Sequence, residues 1–187
     1  MLIEELLKRY AAAADRASSA VPAASVLDKT AAEILEMVRC YASDAQVFFK
    51  RGDLVNAFAA AAYGFGWLDC GSWLGFTAAE HSGVPSLEKE FPEELHEKLE
   101  EKTLRYQRML TSALSVVSAA PDTETIASAA AKEIYSVTAS GLSFGSTLLP
   151  DDMINALCVF SYWYGWLDCG VRAGLFTISG DRHLFTI

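Results

Sequence analysis

The sequence holds few of the side chains from which catalytic and metal centres are usually built. Of its 187 residues, three are His and four are Cys, and none of them shows the close spacing of a zinc or redox motif. It also lacks a Gly-rich phosphate loop after a strand-like run, and a Gly-x-Ser-x-Gly segment. These absences count against metal, nucleotide and serine-hydrolase sites, so we expect no bound metal and no cofactor.

Positive charge is scarce as well. The chain has 15 Lys and Arg against 24 Asp and Glu, which gives a formal net charge of −9. Because an acidic surface repels the phosphate backbone, we expect no nucleic acid among the partners. The Cys form no Cys-x-x-Cys pair and the N-terminus lacks a basic segment. We therefore expect reduced thiols, no secretory leader and a cytoplasmic location.

The sequence does contain a strong apolar helix periodicity. Hydrophobic residues make up 52% of the chain, and they recur at steps of three and four. Capping and breaker residues, with Gly141 and Gly145 assigned to a loop, divide the chain into six predicted helices. These span about 2–20, 26–50, 54–75, 87 or 92–119, 123–142 and 152–175. The tail from residue 176 is predicted as a short strand or coil.

One segment occurs twice. Gly66 and Gly165 each begin the same six residues, Gly-Trp-Leu-Asp-Cys-Gly, and flanking residues align in the same order. The sequence therefore predicts an all-α protein of two tandem up-down-up three-helix bundles related by pseudo-twofold symmetry. The expected boundaries are residues 1–80 for the first repeat, 86–178 for the second and 179–187 for a C-terminal tail.

The first copy carries a longer pattern. It has a helix with Tyr41 and Asp44, a Lys-Arg-Gly-Asp turn at residues 50–53, and a helix that ends in the repeated segment. This pattern resembles the archaeal family called domain of unknown function 357. In the second copy only residues 152–176 are similar. In the sequence alignment Tyr41 matches Tyr135, and Thr138 stands where Asp44 would fall. The resemblance implies a short helical bundle in an archaeal cytoplasm, and no particular activity.

Small residues near the end of each third helix are predicted to pack. Two glycines four apart stand in each copy, Gly71 with Gly75 and Gly170 with Gly174. Since Gly inside a helix costs about 0.5–1 kcal/mol relative to Ala, we expect a close helix crossing there to offset the cost. That crossing lies inside each bundle, between the repeats or between subunits. The other packing candidates are Gly66, Gly165 and Trp166.

Asp69 and Asp168 each stand alone in an apolar helix, where an unpaired carboxylate is costly. Asp168 has Arg172 four residues later, so we expect these two to pair. Asp69 has Trp73 there instead, and its expected partner is Tyr41, Arg39 or a backbone amide. Both carboxylates are predicted to be buried polar groups that set helix register, with a general acid or base in a pocket as the alternative.

Two function classes follow from these observations. The first is an interaction or scaffold protein that forms a homo-oligomer or binds a protein partner, which the almost entirely apolar third helices favour. The second is a small-molecule-binding bundle or enzyme with a single site in the first repeat, built from Tyr41, Asp44, Trp67 and Asp69. A membrane-associated protein is disfavoured. Residues 54–76 are long enough to span a bilayer, but they include Asp69, and the sixth helix carries Asp168 and Arg172.

Overall fold

A computed structural model describes residues 1–88 and 91–186. Residues 89, 90 and 187 lie outside the described residues. Residues 89 and 90 belong to the fourth helix if it begins at residue 87, the first of its two predicted starts, and residue 187 is the last of the predicted tail. Within the described residues the protein is all-α, as its periodicity predicts. The six helices are α1 (Ile3–Arg16), α2 (Asp28–Lys50), α3 (Leu54–Trp73), α4 (His96–Val116), α5 (Ile126–Leu148) and α6 (Met153–Arg172).

A short antiparallel strand pair closes each repeat. In the first repeat β1 (Ser18–Ser19) pairs with β2 (Thr77–Ala78), and in the second β3 (Val117–Ala119) pairs with β4 (Phe176–Ile178). Each pair joins the chain after the first helix of a repeat to the chain after its third helix. Strands of two or three residues are too short to show an alternating pattern, which explains why only the strand in the tail is anticipated from the sequence.

The central helices α3 and α6 lie against each other, with α1 and α2 packed around α3 and with α4 and α5 packed around α6. Both central helices are buried on nearly every side, so neither has a polar face. Asp53 and Asp152 cap them by accepting the backbone N–H of Asn56 and Asn155. None of the helices in the described ranges combines the length and apolar character that a bilayer-spanning segment requires.

The backbones of α3 and α6 come into direct contact at Gly66 and Gly165. A Cβ atom on Gly66 would lie 2.1 Å from the carbonyl oxygen of Tyr162, and one on Gly165 would lie 2.2 Å from that of Tyr63. A real Cβ atom does not come within 3.0 Å of another heavy atom, so only a residue without a side chain fits at either position. The two repeats therefore touch backbone to backbone at the first glycine of the repeated segment.

The other glycines of the repeated segment have different roles. Gly71 faces Ile34 of α2, inside its own bundle, and Gly170 faces Ile134 of α5 in the same way. The expectation that Gly75 and Gly174 share these crossings is wrong. Both lie beyond the helix ends with a φ of +78°, a conformation that glycine adopts without strain and that is common at helix C-termini.

The packing of Gly71 and Gly170 also aligns the second helices of the two repeats. Gly71 contacts Ile34 of α2, and the equivalent Gly170 contacts Ile134 of α5. Ile34 and Ile134 are therefore equivalent, and corresponding residues of α2 and α5 are 100 positions apart (134 − 34). Tyr41 therefore corresponds to Gly141 and Asp44 to Phe144. The sequence alignment of Tyr41 with Tyr135, and of Asp44 with Thr138, is wrong, because it matches residue types where packing matches buried positions.

The fifth helix is longer than its sequence predicts. It continues to Leu148, so the assignment of Gly141 and Gly145 to a loop is wrong. A side chain on Gly141 would overlap the ring of Trp163, and one on Gly145 would overlap the ring of Phe160. These glycines are helical residues that leave room for the bulky aromatic side chains of α6.

Candidate functional site

The two repeated aspartates are fully buried, and each is bonded to a tyrosine of the other repeat. The Tyr162 hydroxyl donates to Asp69 Oδ2 at 2.7 Å, and the Tyr63 hydroxyl donates to Asp168 Oδ2. Tyr63 and Tyr162 occupy equivalent positions, six residues before the two aspartates. The two bonds therefore run in opposite directions between α3 and α6 and tie the repeats together.

The segment that follows each central helix supplies the remaining donors. Asp69 accepts the backbone N–H of Ser82 at 2.9 Å and that of Gly83 at 2.8 Å. Asp168 accepts the backbone N–H and the hydroxyl of Thr186. Since several donors fill the acceptor positions of each carboxylate, neither aspartate is an isolated buried charge.

These contacts answer the predictions about partners. Of the alternatives for Asp69, the backbone amide is confirmed, and the structure gives its carboxylate no bond from Tyr41 or Arg39 among the described residues. The predicted pairing of Asp168 with Arg172 is wrong. Arg172 Nε lies 3.2 Å from a carboxylate oxygen of Glu33 in α2, because Asp168 points into the core and is already bonded there.

Burial shifts the pKa values of Asp168 and of the two tyrosines. Desolvation raises the pKa of Asp168 above its ordinary value, opposed by hydrogen bonds from Thr186 and Tyr63. Burial also raises the pKa of Tyr63 and of Tyr162 well above the ordinary value, and the neighbouring carboxylates act in the same direction. Both tyrosines are therefore protonated donors throughout the physiological pH range.

The structure does not gather the four candidate ligand residues into one pocket. The ring of Tyr41 lies 4.6 Å from that of Tyr63, beside the tyrosine that binds Asp168 rather than beside Asp69. Burial raises the pKa of Tyr41 to about 12. Asp44 is exposed on α2, while Trp67 and Asp69 are fully buried. A direct ligand contact with Asp69 would have to displace its own donors.

Sequence reasoning missed His81. Its Nδ1 lies 2.9 Å from Asp69 Oδ2, and 59% of its side chain is exposed. The loop that carries it is held in place because the amides of Ser82 and Gly83 bind the same carboxylate. No spacing rule connects a helical Asp to a loop His 12 positions away (81 − 69), so the sequence offers no signal for this pair. At Asp168 the corresponding donor is Thr186.

A cleft of about 370 Å³ lies beside His81, between α1 and the loop at residues 79–83. Arg9 and Arg16 of α1 contribute its basic walls, and Glu80 its acidic wall. The Arg9 guanidinium donates to the Ser82 carbonyl at 3.2 Å and lies 5.8 Å above the ring of buried Phe65. Through His81, the buried carboxylate of Asp69 is thus connected to a charged surface cleft.

The repeated cysteines follow the two aspartates. Cys70 and Cys169 are buried free thiols, and burial raises the pKa of the Cys169 thiol well above its ordinary value. A thiol that stays protonated is a poor nucleophile and a poor metal ligand. In the part of the chain that the structure describes, no three His, Cys, Asp or Glu side chains are grouped so that they could hold a metal ion.

Comparison with protein families identifies the repeated unit. The family described as Protein of unknown function (DUF357) matches residues 7–77 and again residues 105–176, which correspond to the two three-helix repeats. No curated protein and no solved structure matches the chain. The chain belongs to this family and contains two copies of its domain.

Proposed function

We propose that this two-copy member of the DUF357 family is an interaction or scaffold protein that forms a homo-oligomer through the outer face of α5. The supporting observation is that this face carries no charge from residue 134 onward, after exposed Lys132 and Glu133 in the second turn of the helix. Residues 134–150 contain no Asp, Glu, Lys or Arg, whereas the corresponding residues 34–50 contain Glu36, Arg39, Asp44 and Lys50.

The exposed side chains of this surface are aromatic or small and hydroxylated. Phe144 is 56% exposed and Tyr135 is 41% exposed. The surface, called the α5 face below, consists of Tyr135, Ser136, Ser140, Ser143, Phe144 and Thr147. Depletion of charge together with exposed aromatic residues is typical of the centre of a protein–protein interface.

Electrostatics favours a second copy of the chain as the partner. Two molecules of net charge −9 repel each other, and this repulsion is weakest where the surfaces that meet carry no charge. A twofold arrangement of two α5 faces would bury Phe144 of both molecules in one contact. At the corresponding position of the first repeat, exposed Asp44 opposes such a contact.

Light scattering during size-exclusion chromatography tests this proposal. We expect the mass of the wild-type protein to rise with concentration toward that of an oligomer. Phe144→Asp gives α5 the residue that α2 has at this place, and it should weaken self-association by at least about 2 kcal/mol, or about 30-fold. A wild-type protein that remains monomeric at every concentration would contradict the proposal.

The matched control places the same charge on the other repeat. Val47 is an exposed residue of α2, with 39% of its side chain accessible. Val47→Asp should leave the oligomer intact if the α5 face is the interface. Equal dissociation of both variants would indicate a general effect of added negative charge.

The proposed setting is the cytoplasm of an archaeal cell. The family resemblance supports the source. The cysteines support the compartment, because Cys40 is an exposed free thiol and Cys70, Cys158 and Cys169 are buried free thiols, and free thiols persist in a reducing compartment.

A further inference from the structure

We propose that the cleft between α1 and the loop at residues 79–83 is a binding site for a phosphate-bearing small molecule. The inference is independent of self-association through the α5 face. It depends on three side chains, Arg9, Arg16 and His81, which line one cleft.

The charges of the cleft are the first argument. Arg9 and Arg16 are seven residues apart, two turns along one face of α1. No carboxylate of the described residues lies within 4 Å of either guanidinium group. In a chain with nine more acidic than basic residues (24 − 15), these two positive charges have no direct counter-charge. A planar guanidinium group binds phosphate oxygens through two parallel hydrogen bonds.

Arg9 is already held in position. Its bond to the Ser82 carbonyl and its stacking on Phe65 use one face and one donor of the guanidinium group. The guanidinium group has five N–H donors, so the others remain available for an anion. Because Phe65 belongs to the buried core, little side-chain entropy is lost when Arg9 binds a ligand.

His81 is the third side chain, and Asp69 orients it. Its Nδ1 faces the buried carboxylate at 2.9 Å, so Nε2, on the other side of the ring, faces away from Asp69. A neutral ring with its proton on Nδ1 accepts the hydroxyl of a hydrogen phosphate through Nε2, and a protonated ring donates to a phosphate oxygen. The Ser82 and Gly83 amides hold the loop on the same carboxylate, so this orientation exists before a ligand binds.

The size and lining of the cleft restrict the ligand. A volume of about 370 Å³ lies at the lower end of the range for small-molecule sites, and it holds a phosphate group with a short organic portion. Ala13, Ala17 and Ala79 give an apolar wall for that portion. Glu80 also lines the cleft, and its negative charge disfavours a ligand with more anionic groups than the one phosphate that the arginines hold.

The second repeat lacks this combination. Residues of α1 and α4 correspond at 100 positions apart (120 − 20), because the Ala120 amide donates to the Leu175 carbonyl as the Ala20 amide donates to the Phe76 carbonyl. Met109 therefore stands at the place of Arg9 and Val116 at the place of Arg16, and Thr186 occupies the place of the His81 loop at Asp168. The site therefore exists once in the molecule, in the first repeat.

Isothermal titration calorimetry with inorganic phosphate, at constant ionic strength, tests the proposal on the full chain. We expect saturable binding at one site per chain. Arg16→Gln removes a charge-assisted contact and should weaken binding by about tenfold or more, and His81→Gln should weaken it by a smaller factor. Absence of saturable binding at millimolar phosphate would overturn the proposal.

Two controls separate a phosphate site from general charge effects. Arg51→Gln removes the same charge from an exposed position at the end of α2 and should leave phosphate binding unchanged. Acetate at equal concentration should compete much more weakly, because its two oxygen atoms are too few to bind both guanidinium groups through paired hydrogen bonds. Equal weakening by Arg51→Gln, or equal competition by acetate, would overturn the assignment. Arg16 and Arg51 are exposed, so thermal melting of their variants should match the wild type. His81 lies beside the buried Asp69 carboxylate, so His81→Gln should lower the melting temperature, and its phosphate binding is measured below the onset of unfolding.

Discussion

Replacing Gly66 by Ala would remove the room on which the contact between the repeats depends. The new Cβ would lie 2.1 Å from the Tyr162 carbonyl oxygen, whereas ordinary contact begins at 3.4 Å. The missing distance is 1.3 Å (3.4 − 2.1). A helix carbonyl cannot rotate away without breaking its own hydrogen bond, so α3 and α6 must move apart.

The cost follows from that separation. Overpacking of a core costs about 1–3 kcal/mol, and the upper value applies here because backbone meets backbone. The bond between Tyr162 and Asp69 lies three residues away and is stretched by the same movement, which adds about 1 kcal/mol. The higher helix propensity of Ala returns about 1 kcal/mol. We therefore expect a net destabilisation of about 3 kcal/mol.

Urea denaturation followed by circular dichroism measures this change. Gly165→Ala should give a similar loss, because its Cβ would meet the Tyr63 carbonyl at 2.2 Å. The double variant should lose less stability than the sum of the two single losses, since helices already separated by one methyl group accommodate the second.

The matched control is Gly71→Ala, whose Cβ would lie 2.8 Å from a methyl group of Ile34. The Ile34 methyl group moves only with the rest of its side chain, but the shift needed is 0.6 Å (3.4 − 2.8). Because Ala also returns about 1 kcal/mol of helix propensity, we expect a loss below about 1 kcal/mol. If Gly66→Ala unfolds at the wild-type urea concentration, or costs less than Gly71→Ala, the backbone crossing is refuted.

Two further predictions concern polar groups of the core. Tyr63→Phe and Tyr162→Phe each remove one donor from a buried carboxylate and should each lower the free energy of unfolding by about 1.5–3 kcal/mol in urea denaturation, while Tyr135→Phe, at an exposed position, should change it by less than about 0.5 kcal/mol. Burial lowers the pKa of Lys102 from 10.5 to about 8, so the unfolded chain binds more protons between these values and stability rises with pH there. The full shift corresponds to about 3 kcal/mol, which the partial exposure of this side chain reduces to about 1 kcal/mol. Lys102→Met should remove that rise between about pH 8 and pH 10.5, and parallel stability curves for the two proteins would contradict the prediction.

The helices and the duplication are predictable from sequence because they depend on local patterns. Apolar residues at steps of three and four, with Asp53 as a helix cap, are read without knowledge of any neighbour. Gly141 and Gly145 show the limit of this approach. Glycine occurs both in turns and at helix positions where a neighbouring side chain leaves no room for a Cβ atom. At Gly141 and Gly145 the second reason applies, because Trp163 and Phe160 of α6 occupy that space, and the local sequence does not show this.

The candidate site is predictable only in part, for the same reason. A lone Asp in an apolar helix implies a buried and bonded carboxylate, which is confirmed for Asp69 and Asp168. Their donors come from the other repeat and from loops, which no local spacing reveals. For Arg172 the local rule is misleading, because an i,i+4 spacing favours Asp168 while the fold places Glu33 within reach.

The difference between the two repeats comes from the segments that follow their third helices, more than from the helices themselves. Asp69 and Asp168 occupy equivalent positions and accept hydrogen bonds from equivalent tyrosines. Each also accepts a hydrogen bond from the backbone of the segment that follows its own helix. In the second repeat that segment presents Thr186, whose hydroxyl and amide both turn inward to the carboxylate. In the first repeat the segment is the connection toward α4, so it crosses the end of α1 and brings an imidazole between the carboxylate and the surface. A buried group that holds the structure together in one repeat thereby orients an exposed side chain in the other, beside two arginines that have no carboxylate partner within the described residues.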